Sequence, residues 1–214
     1  MPCDSLRRAL LVVVSLLATG CDAEHLLLAK RIEVTSLGPA GVVDQSSPVI
    51  APDGRSVIYL KPGPGALPVI ARDLTTRSDV TLFTVPANSN LWTLNYHTGH
   101  LIFSAGNGSG GRHIVEYSLS GSVVQDFTVP AGYQDYNACA SPDGKTLAFV
   151  RISDATQVGQ ICVRDMGSTS STAQPLWTLI NGEKILSMRW LDNARFLVSG
   201  WTASNALENV IQDA

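Results

Sequence analysis

The stretch Ser141-Pro142-Asp143-Gly144-Lys145 decides the fold, because it separates two apolar segments and recurs along the chain. Its proline presets φ for a tight turn, its aspartate can accept a hydrogen bond from a backbone amide, and its glycine adopts positive φ without strain. The stretch therefore predicts a hairpin turn between two strands. A second copy, Pro52-Asp53-Gly54, predicts the same turn earlier in the chain.

Four segments share this arrangement of strand, turn and strand. They cover residues 48–60, 93–105, 138–150 and 187–199. Their aligned turn positions are Asp53, His97, Asp143 and Asp192. These positions are 44, 46 and 49 residues apart, an interval typical of propeller blades. The strand after each turn is a nearly continuous apolar run, which is expected of an inner strand covered on both faces.

The remainder of each repeat predicts two further strands. Third strands align at 69–74, 114–119 and 161–166, and fourth strands at 80–85, 122–129 and 175–180. A single blade cannot bury both of its faces, so repeated blades imply a stack around an axis. The sequence predicts an all-β propeller of four-stranded antiparallel blades, at about residues 43–86, 87–130, 131–182 and 183–214, the last without its outer strand.

The missing outer strand leaves two architectures open. In one, the strand-like segment 31–37 supplies that strand and closes a four-bladed ring. In the other, the chain is an incomplete or truncated part of a larger propeller. An unclosed arc exposes sheet faces and unpaired strand edges. The prediction is a propeller of about four repeats that is incomplete or atypical.

The repeat pattern resembles a known family. Ser141-Pro142-Asp143-Gly144-Lys145, followed by an apolar strand and then a strand ending in Arg164-Asp165, resembles the repeat of TolB-type β-propellers. The same repeat occurs in the propellers of prolyl-oligopeptidase-like enzymes. The resemblance covers about residues 43–214, but His97-Thr98 and Asp192-Asn193 replace Asp-Gly in two repeats. It implies a non-catalytic scaffold whose loops hold a protein or peptide partner.

An enzymatic alternative stays open beside the scaffold. The chain could be the propeller part of a larger prolyl-oligopeptidase-like peptidase or of a carbohydrate-active enzyme. A peptidase of that kind needs a hydrolase domain with a Gly-x-Ser-x-Gly turn, and this sequence contains no such motif. We therefore expect no catalytic residue and no cofactor. A decayed gene product without function is a third interpretation.

Residues 1–20 predict a lipoprotein signal peptide. Arg7 and Arg8 precede an apolar run that is roughly half the ~20 residues needed for a spanning helix, and small residues follow. The ending Leu17-Ala18-Thr19-Gly20-Cys21 resembles a bacterial lipobox, in which the cysteine is lipidated. Residues 21–42 would then form a tether. An ordinary signal peptide cut nearby is the alternative. The prediction is an exported, lipid-anchored envelope protein facing the periplasm, with the choice of membrane open.

The charge of the chain argues against nucleic-acid binding, and the positions of its cysteines argue against a disulfide. A formal charge of −3 without any run of five like charges argues against nucleic-acid binding. After export and lipidation, two cysteines remain, Cys139 on a first strand and Cys162 on a third strand of one sheet. Two strand spacings of ~4.8 Å exceed normal disulfide reach. We expect two separate buried thiols.

Few side chains are candidates for a site. His97, His100 and His113 lie close together in the sequence and raise a metal hypothesis. The first two flank a turn, the third begins a distant strand, and no cysteine or carboxylate cluster accompanies them, so no metal site is predicted. The repeated turn aspartates are interpreted as caps. Tyr133 and Tyr136 precede the third repeat's turn, where propeller loops face the central funnel, and are the candidates for partner contact.

Overall fold

Antiparallel β-sheets, one for each repeat, form the framework of the protein. The computed structural model describes residues 46–51, 53–61, 66–85, 91–106, 111–168, 170, 172–179, 183–204 and 206–214. All of them belong to one compact unit, Val43–Ala214. Cys21, Pro52 and segment 31–37 lie outside the described residues, so lipidation and ring closure stay predictions. None of the described residues forms a helix long and apolar enough to cross a membrane.

The described strands number fifteen. The first sheet contains β1 (Ser46–Ile50), β2 (Ser56–Leu60), β3 (Leu67–Asp73) and β4 (Asp79–Val85). The second contains β5 (Trp92–His97), β6 (His100–Gly106), β7 (Arg112–Ser118) and β8 (Val123–Phe127). The third contains β9 (Tyr133–Ala140), β10 (Thr146–Ser153), β11 (Gly159–Asp165) and β12 (Gln174–Thr178). The last contains β13 (Lys184–Trp190), β14 (Arg195–Trp201) and β15 (Leu207–Asp213).

Strand order within each sheet follows the chain, as in a propeller blade. Every strand pairs antiparallel with the next, and the described part of the last sheet has three strands. The first strands of successive sheets contact one another, β1 with β5, β5 with β9 and β9 with β13. The last sheet leaves Leu207 and Ile211 57% and 59% exposed, as at the free face of an incomplete propeller. The predicted all-β propeller fold is confirmed.

Apolar side chains from both faces of the inner sheets form the core. Because neighbouring residues of a strand point to opposite faces, Phe103 packs toward the first sheet and Ile102 toward the third. The three interfaces between successive sheets are represented by the pairs Ile58 and Phe103, Ile102 and Phe149, and Val150 and Phe196. The continuous apolar runs of the second strands are therefore explained by burial on both faces.

The Ser141–Lys145 stretch forms a compact turn held by two side chains. Asp143 Oδ1 accepts hydrogen bonds from the Ser141 hydroxyl (2.7 Å) and the Lys145 amide (3.1 Å), which hold the pKa of Asp143 below its usual range. The Thr146 amide donates to the Ser141 hydroxyl (2.9 Å). Gly144 has a φ of 69°, which glycine adopts at little cost. Asp143 therefore caps a turn.

The turn of the second sheet has a different construction. His97 pairs directly with His100, and only Thr98 (φ 39°) and Gly99 (φ 87°) separate them, as in a two-residue type I′ hairpin. In the third sheet a four-residue loop joins Ser141 to Thr146. His97 therefore ends β5 and corresponds to Ser141. Its alignment with the turn aspartates was wrong by two residues, because sequence spacing alone does not reveal a shortened loop.

Candidate functional site

A groove of about 710 Å³ lies beside the connection between the second and third sheets. We call it the Tyr133 groove, and it is lined by residues 111–113, 126–133 and Asp154. These residues come from the start of β7, the end of β8, the start of β9 and the loop after β10. They meet at the ends of the strands opposite the Asp-Gly turns. The repeated structural turns therefore lie at the other ends of the strands from this groove.

The connecting segment 128–132 forms one wall of the groove and is held at both ends. Arg164 Nη1 donates to the Thr128 carbonyl at 3.4 Å, and the Asp154 amide donates to the Gly132 carbonyl at 2.9 Å. Gly132 has a φ of 80°, where a side chain would be strained. This wall is therefore shaped before any ligand arrives, which lowers the entropic cost of binding.

A buried ion pair lies beside the groove. Arg151 donates from Nε to Oδ1 of Asp135 at 2.8 Å and from Nη2 to Oδ2 at 2.7 Å. Asp135 is 1% exposed and Arg151 8% exposed. Burial raises the pKa of the Asp135 carboxyl, and the Arg151 guanidinium limits that rise. The same guanidinium lies 5.8 Å from the Tyr133 ring centroid and 5.3 Å from that of Phe149. The Arg151 guanidinium therefore contacts both the buried Phe149 ring and the exposed Tyr133 ring.

The groove carries both signs of charge. His113 Nε2 lies 3.5 Å from Asp126 Oδ1, and the Arg112 guanidinium lies 5.3 Å from the Tyr136 ring centroid. The His113 Nδ1 atom is buried and has no hydrogen-bond partner among the described residues. On the opposite side, Asp154 accepts a hydrogen bond from the Gln134 side chain at 2.7 Å. Such a lining offers donors and acceptors to a polar ligand.

The structure separates the two tyrosines named from the sequence. Tyr133 is 42% exposed and lines the groove. Tyr136 is half-buried, packs in the apolar cluster shared with the last sheet, and has its pKa raised by burial. They occupy opposite faces of β9, since Tyr133 pairs with Ser153 and Tyr136 with Val150. Tyr133 alone of the two offers exposed aromatic surface to a partner.

The remaining sequence candidates lie away from the groove. The turn residues at the opposite strand ends are Asp53, Gly54, Pro142, Asp143, Gly144 and Asp192. Like Asp143, both Asp53 and Asp192 accept amide hydrogen bonds within their own turns. Cys139 and Cys162 are buried free thiols, which confirms the expectation of two separate cysteines. Burial raises the pKa of Cys139 to about 12 and that of Cys162 to about 11, so both stay protonated.

Sequence reasoning missed Arg151, Asp135 and Arg112 as parts of this region. Arg151 and Asp135 stand directly opposite each other in the β9–β10 pairing. Counting back from the turn at Ser141–Lys145 would instead pair Arg151 with Tyr136, because the register shifts by one residue between the Ala148–Cys139 and Val150–Tyr136 pairs. The turn alone therefore does not reveal the charge pair. Arg112 approaches Tyr136 from a neighbouring sheet, which a pattern along one strand does not reveal either.

Among the comparisons with known proteins, the one with solved structures gives information about the fold. No family model matches the sequence, and no curated protein is significantly similar to it. Among solved structures, TolB from Acinetobacter baumannii is 19% identical with a TM-score of 0.51, over 78% of this chain and 43% of that one. A putative TolB from Agrobacterium tumefaciens is 15% identical with a TM-score of 0.52, over 81% of this chain and 61% of that one.

The chain has a TolB-like β-propeller fold. A puromycin-hydrolyzing peptidase from Mycobacterium tuberculosis is similar too, with 15% identity, a TM-score of 0.54, and coverage of 81% of this chain and 27% of that one. The chain thus spans between about a quarter and three fifths of these three structures. Because TolB and a peptidase share this fold, the function has to be argued from the groove.

Proposed function

We propose that the protein is a non-catalytic scaffold of the bacterial envelope that holds a protein or peptide partner in the Tyr133 groove. The observation that carries this proposal is the position of Tyr133, an exposed aromatic side chain at a preformed groove with charges of both signs. Tyrosine is enriched among residues that dominate binding energies, because it buries a large rigid surface and keeps a polar end. A peptide would also find backbone and charged hydrogen-bond partners there.

Lipid anchoring through Cys21 places this scaffold at a membrane surface. Support comes from the sequence, in which paired arginines, a short apolar run and a lipobox-like ending precede the cysteine. Several acyl chains give a stable anchor, since each buried methylene contributes about 0.8 kcal/mol. The variant Cys21→Ala is expected to leave the membrane fraction, whereas Cys3→Ala, a control within the signal peptide, stays. Membrane fractionation of Cys21→Ala at the wild-type level would reject lipidation.

Site-specific photo-cross-linking tests the groove. A benzophenone amino acid replaces Tyr133 in one variant and Val80 in a control, since Val80 is 59% exposed on β4 of the first sheet. After irradiation of intact cells, we expect a discrete protein adduct from the Tyr133 position that is absent from the Val80 position. Equal adduct patterns at both positions, or none at either, would contradict binding in the groove.

A second candidate function is favoured by the similarity to the puromycin-hydrolyzing peptidase, of which this chain covers 27%. In that case the chain is the propeller part of a peptidase-like or carbohydrate-active enzyme. Because this sequence contains no Gly-x-Ser-x-Gly turn, the test uses the native protein, isolated from its source cells with an antibody against the propeller. The non-catalytic proposal predicts that a fluorophosphonate probe does not label this native protein and that it does not hydrolyse aminoacyl or prolyl peptides above a heat-denatured sample. A labelled serine would support the enzymatic candidate and reject the proposed scaffold.

A further inference from the structure

Three side chains of the second sheet depart from the repeat and meet in space. His97 occupies the position of Ala51, Ser141 and Leu191, the residues that precede the turns of the other sheets. His100 begins its strand where the other sheets have Ser56, Thr146 and Arg195. Glu116 pairs with Ile102, whereas the register-equivalent residues are Ala71, Val163 and Ile211. In the other three sheets, none of the equivalent positions holds a histidine or a glutamate.

We name His97, His100 and Glu116 the His-Glu cluster. Glu116 Oε1 lies 2.9 Å from His97 Nε2 and 2.6 Å from His100 Nδ1. All three ligand atoms lie within 4.8 Å of one another. The shortened hairpin causes this meeting, because a two-residue turn brings the two histidines into direct register and the adjacent strand β7 adds the carboxylate.

The cluster is built into the interface between the second and third sheets. Glu116 is 4% exposed and His97 8% exposed, so a carboxylate and an imidazole are withdrawn from water together. A Cβ atom at Gly144, in the turn of the third sheet, would lie 3.5 Å from His97 Nδ1. That turn therefore covers one side of the cluster. The His100 side chain is 37% exposed, which leaves the other side open to solvent.

A contact from outside the cluster also suits metal binding by His97. The Thr98 hydroxyl lies 2.9 Å from His97 Nδ1. When an imidazole binds a metal through one nitrogen, the other nitrogen carries a proton and commonly donates it to a polar partner, which fixes the ring. Thr98 Oγ can accept that hydrogen bond while Nε2 faces the carboxylate. The hairpin thus orients one of the two imidazoles for coordination.

We propose that the His-Glu cluster is a binding site for a divalent transition-metal ion such as Zn²⁺, held by His97 Nε2, His100 Nδ1 and one carboxylate oxygen of Glu116. Two imidazoles and a glutamate form a known zinc ligand set that keeps a fourth position for water. Tetrahedral ligands at about 2.0–2.1 Å from the ion lie roughly 3.4 Å apart. The two distances to Glu116 Oε1, 2.9 and 2.6 Å, are shorter than that value, and the two imidazole nitrogens lie within 4.8 Å of each other. Side-chain shifts of roughly 1–1.5 Å therefore suffice. The ion takes the place of the contacts between each imidazole and the carboxylate, and each neutral imidazole then carries its proton on the nitrogen that faces away from the ion.

This site is independent of the proposed partner binding, because it lies at the other ends of the strands from the Tyr133 groove. Two of the three histidines that lie close together in the sequence belong to this site. His113 is not a member, since it faces Asp126 in the groove, as its distance along the chain predicts. The carboxylate that the sequence argument missed is Glu116, which sheet register brings to the histidines from 16 residues beyond His100.

Metal titration of the purified full chain tests the site. After chelator treatment, Zn²⁺ is added during thermal unfolding, and Co²⁺ is added as a spectroscopic probe. We expect one ion per chain, a rise in Tm of about 5–10 °C at roughly 100-fold excess over Kd, and a Co²⁺ visible spectrum without thiolate charge-transfer bands. Zn²⁺ that leaves Tm unchanged, or a spectrum with thiolate bands, would overturn the proposal.

Matched variants separate this site from adventitious binding. His100→Ala removes a half-exposed ligand and is expected to fold, and Glu116→Gln keeps the side-chain shape but removes the charge. Both are expected to lose at least tenfold in Zn²⁺ affinity. His113→Ala, the control histidine, is expected to keep wild-type affinity. Equal affinity of His100→Ala and the wild type, or an equal loss in His113→Ala, would overturn the assignment.

Discussion

Replacing Arg151 by methionine tests the buried ion pair beside the groove. Methionine keeps the apolar stem but leaves the Asp135 carboxylate, which is 1% exposed, without the guanidinium that donates to both of its oxygens. Removing one partner of a buried pair costs about 3–5 kcal/mol, because a desolvated charge is left uncompensated. For a unit of this size, 1 kcal/mol corresponds to about 2–4 °C in Tm. We therefore expect Arg151→Met to lower Tm by roughly 6–20 °C.

A double-mutant cycle, with free energies of unfolding measured in urea, isolates the coupling free energy between Arg151 and Asp135. Asp135→Leu alone leaves the guanidinium buried without its carboxylate, whereas Arg151→Met/Asp135→Leu removes both charges together. Replacing both members of a buried pair by apolar residues is often neutral, so the double variant is expected to be more stable than either single variant. The coupling free energy is then at least about 2 kcal/mol. Additive losses, or a loss below about 1 kcal/mol in Arg151→Met, would show that the buried pair does not stabilise the fold through its charges.

Three further experiments have defined outcomes. Gly121→Ala is expected to lower the free energy of unfolding more than Gly54→Ala. An alanine at either position is strained by about 1–2 kcal/mol because φ is positive, but at Gly121 its Cβ would also lie 2.6 Å from the Phe83 Cβ. Urea unfolding of the two variants measures the difference, and equal costs would contradict the close contact. Cys139 and Cys162 are expected to react with a thiol reagent only after unfolding, because burial keeps both protonated, and mass spectrometry of their peptides locates the label. Labelling of either cysteine in the folded protein would show that it is accessible. For Glu116, burial raises the pKa, but hydrogen bonds from His97 and His100 outweigh it and the folded pKa is lowered. The resulting stabilisation is present above the unfolded pKa of about 4.3 and is lost as pH falls through the folded value. In metal-free protein, Glu116→Gln is therefore expected to lose less stability than the wild type between pH 5 and 3, and a steeper loss would contradict this sign.

Local chemistry explains why the sequence predicts the blades well. A turn such as Ser141–Lys145 is specified by residues next to one another, and the apolar strand that follows is buried on both faces. The second repeat was harder to predict, because the turn after His97 has two residues instead of four. That difference moves His97 from the loop into a strand, and spacing between repeats does not reveal it.

The candidate sites depend on relations between strands, which single-strand patterns do not contain. Glu116 meets His100 only through the register of β6 and β7, and Tyr136 is turned away from Tyr133 by the alternation of β9. In the sequence, two tyrosines lie near each other, and so do three histidines. In the folded sheets, one of the tyrosines lines the groove, and two of the histidines lie beside a carboxylate that is distant in the sequence.

The proposed role of the protein depends on the binding of a protein or peptide partner in the Tyr133 groove. The most direct measurement is the affinity of the cross-linked partner, once purified, for the wild type, Tyr133→Ala and the control Val80→Ala, determined by calorimetry. Removing a binding hot spot costs about 2 kcal/mol or more, which corresponds to roughly 30-fold in Kd. We expect a loss of about this size for Tyr133→Ala and unchanged affinity for Val80→Ala. Wild-type affinity in Tyr133→Ala would contradict binding in the groove.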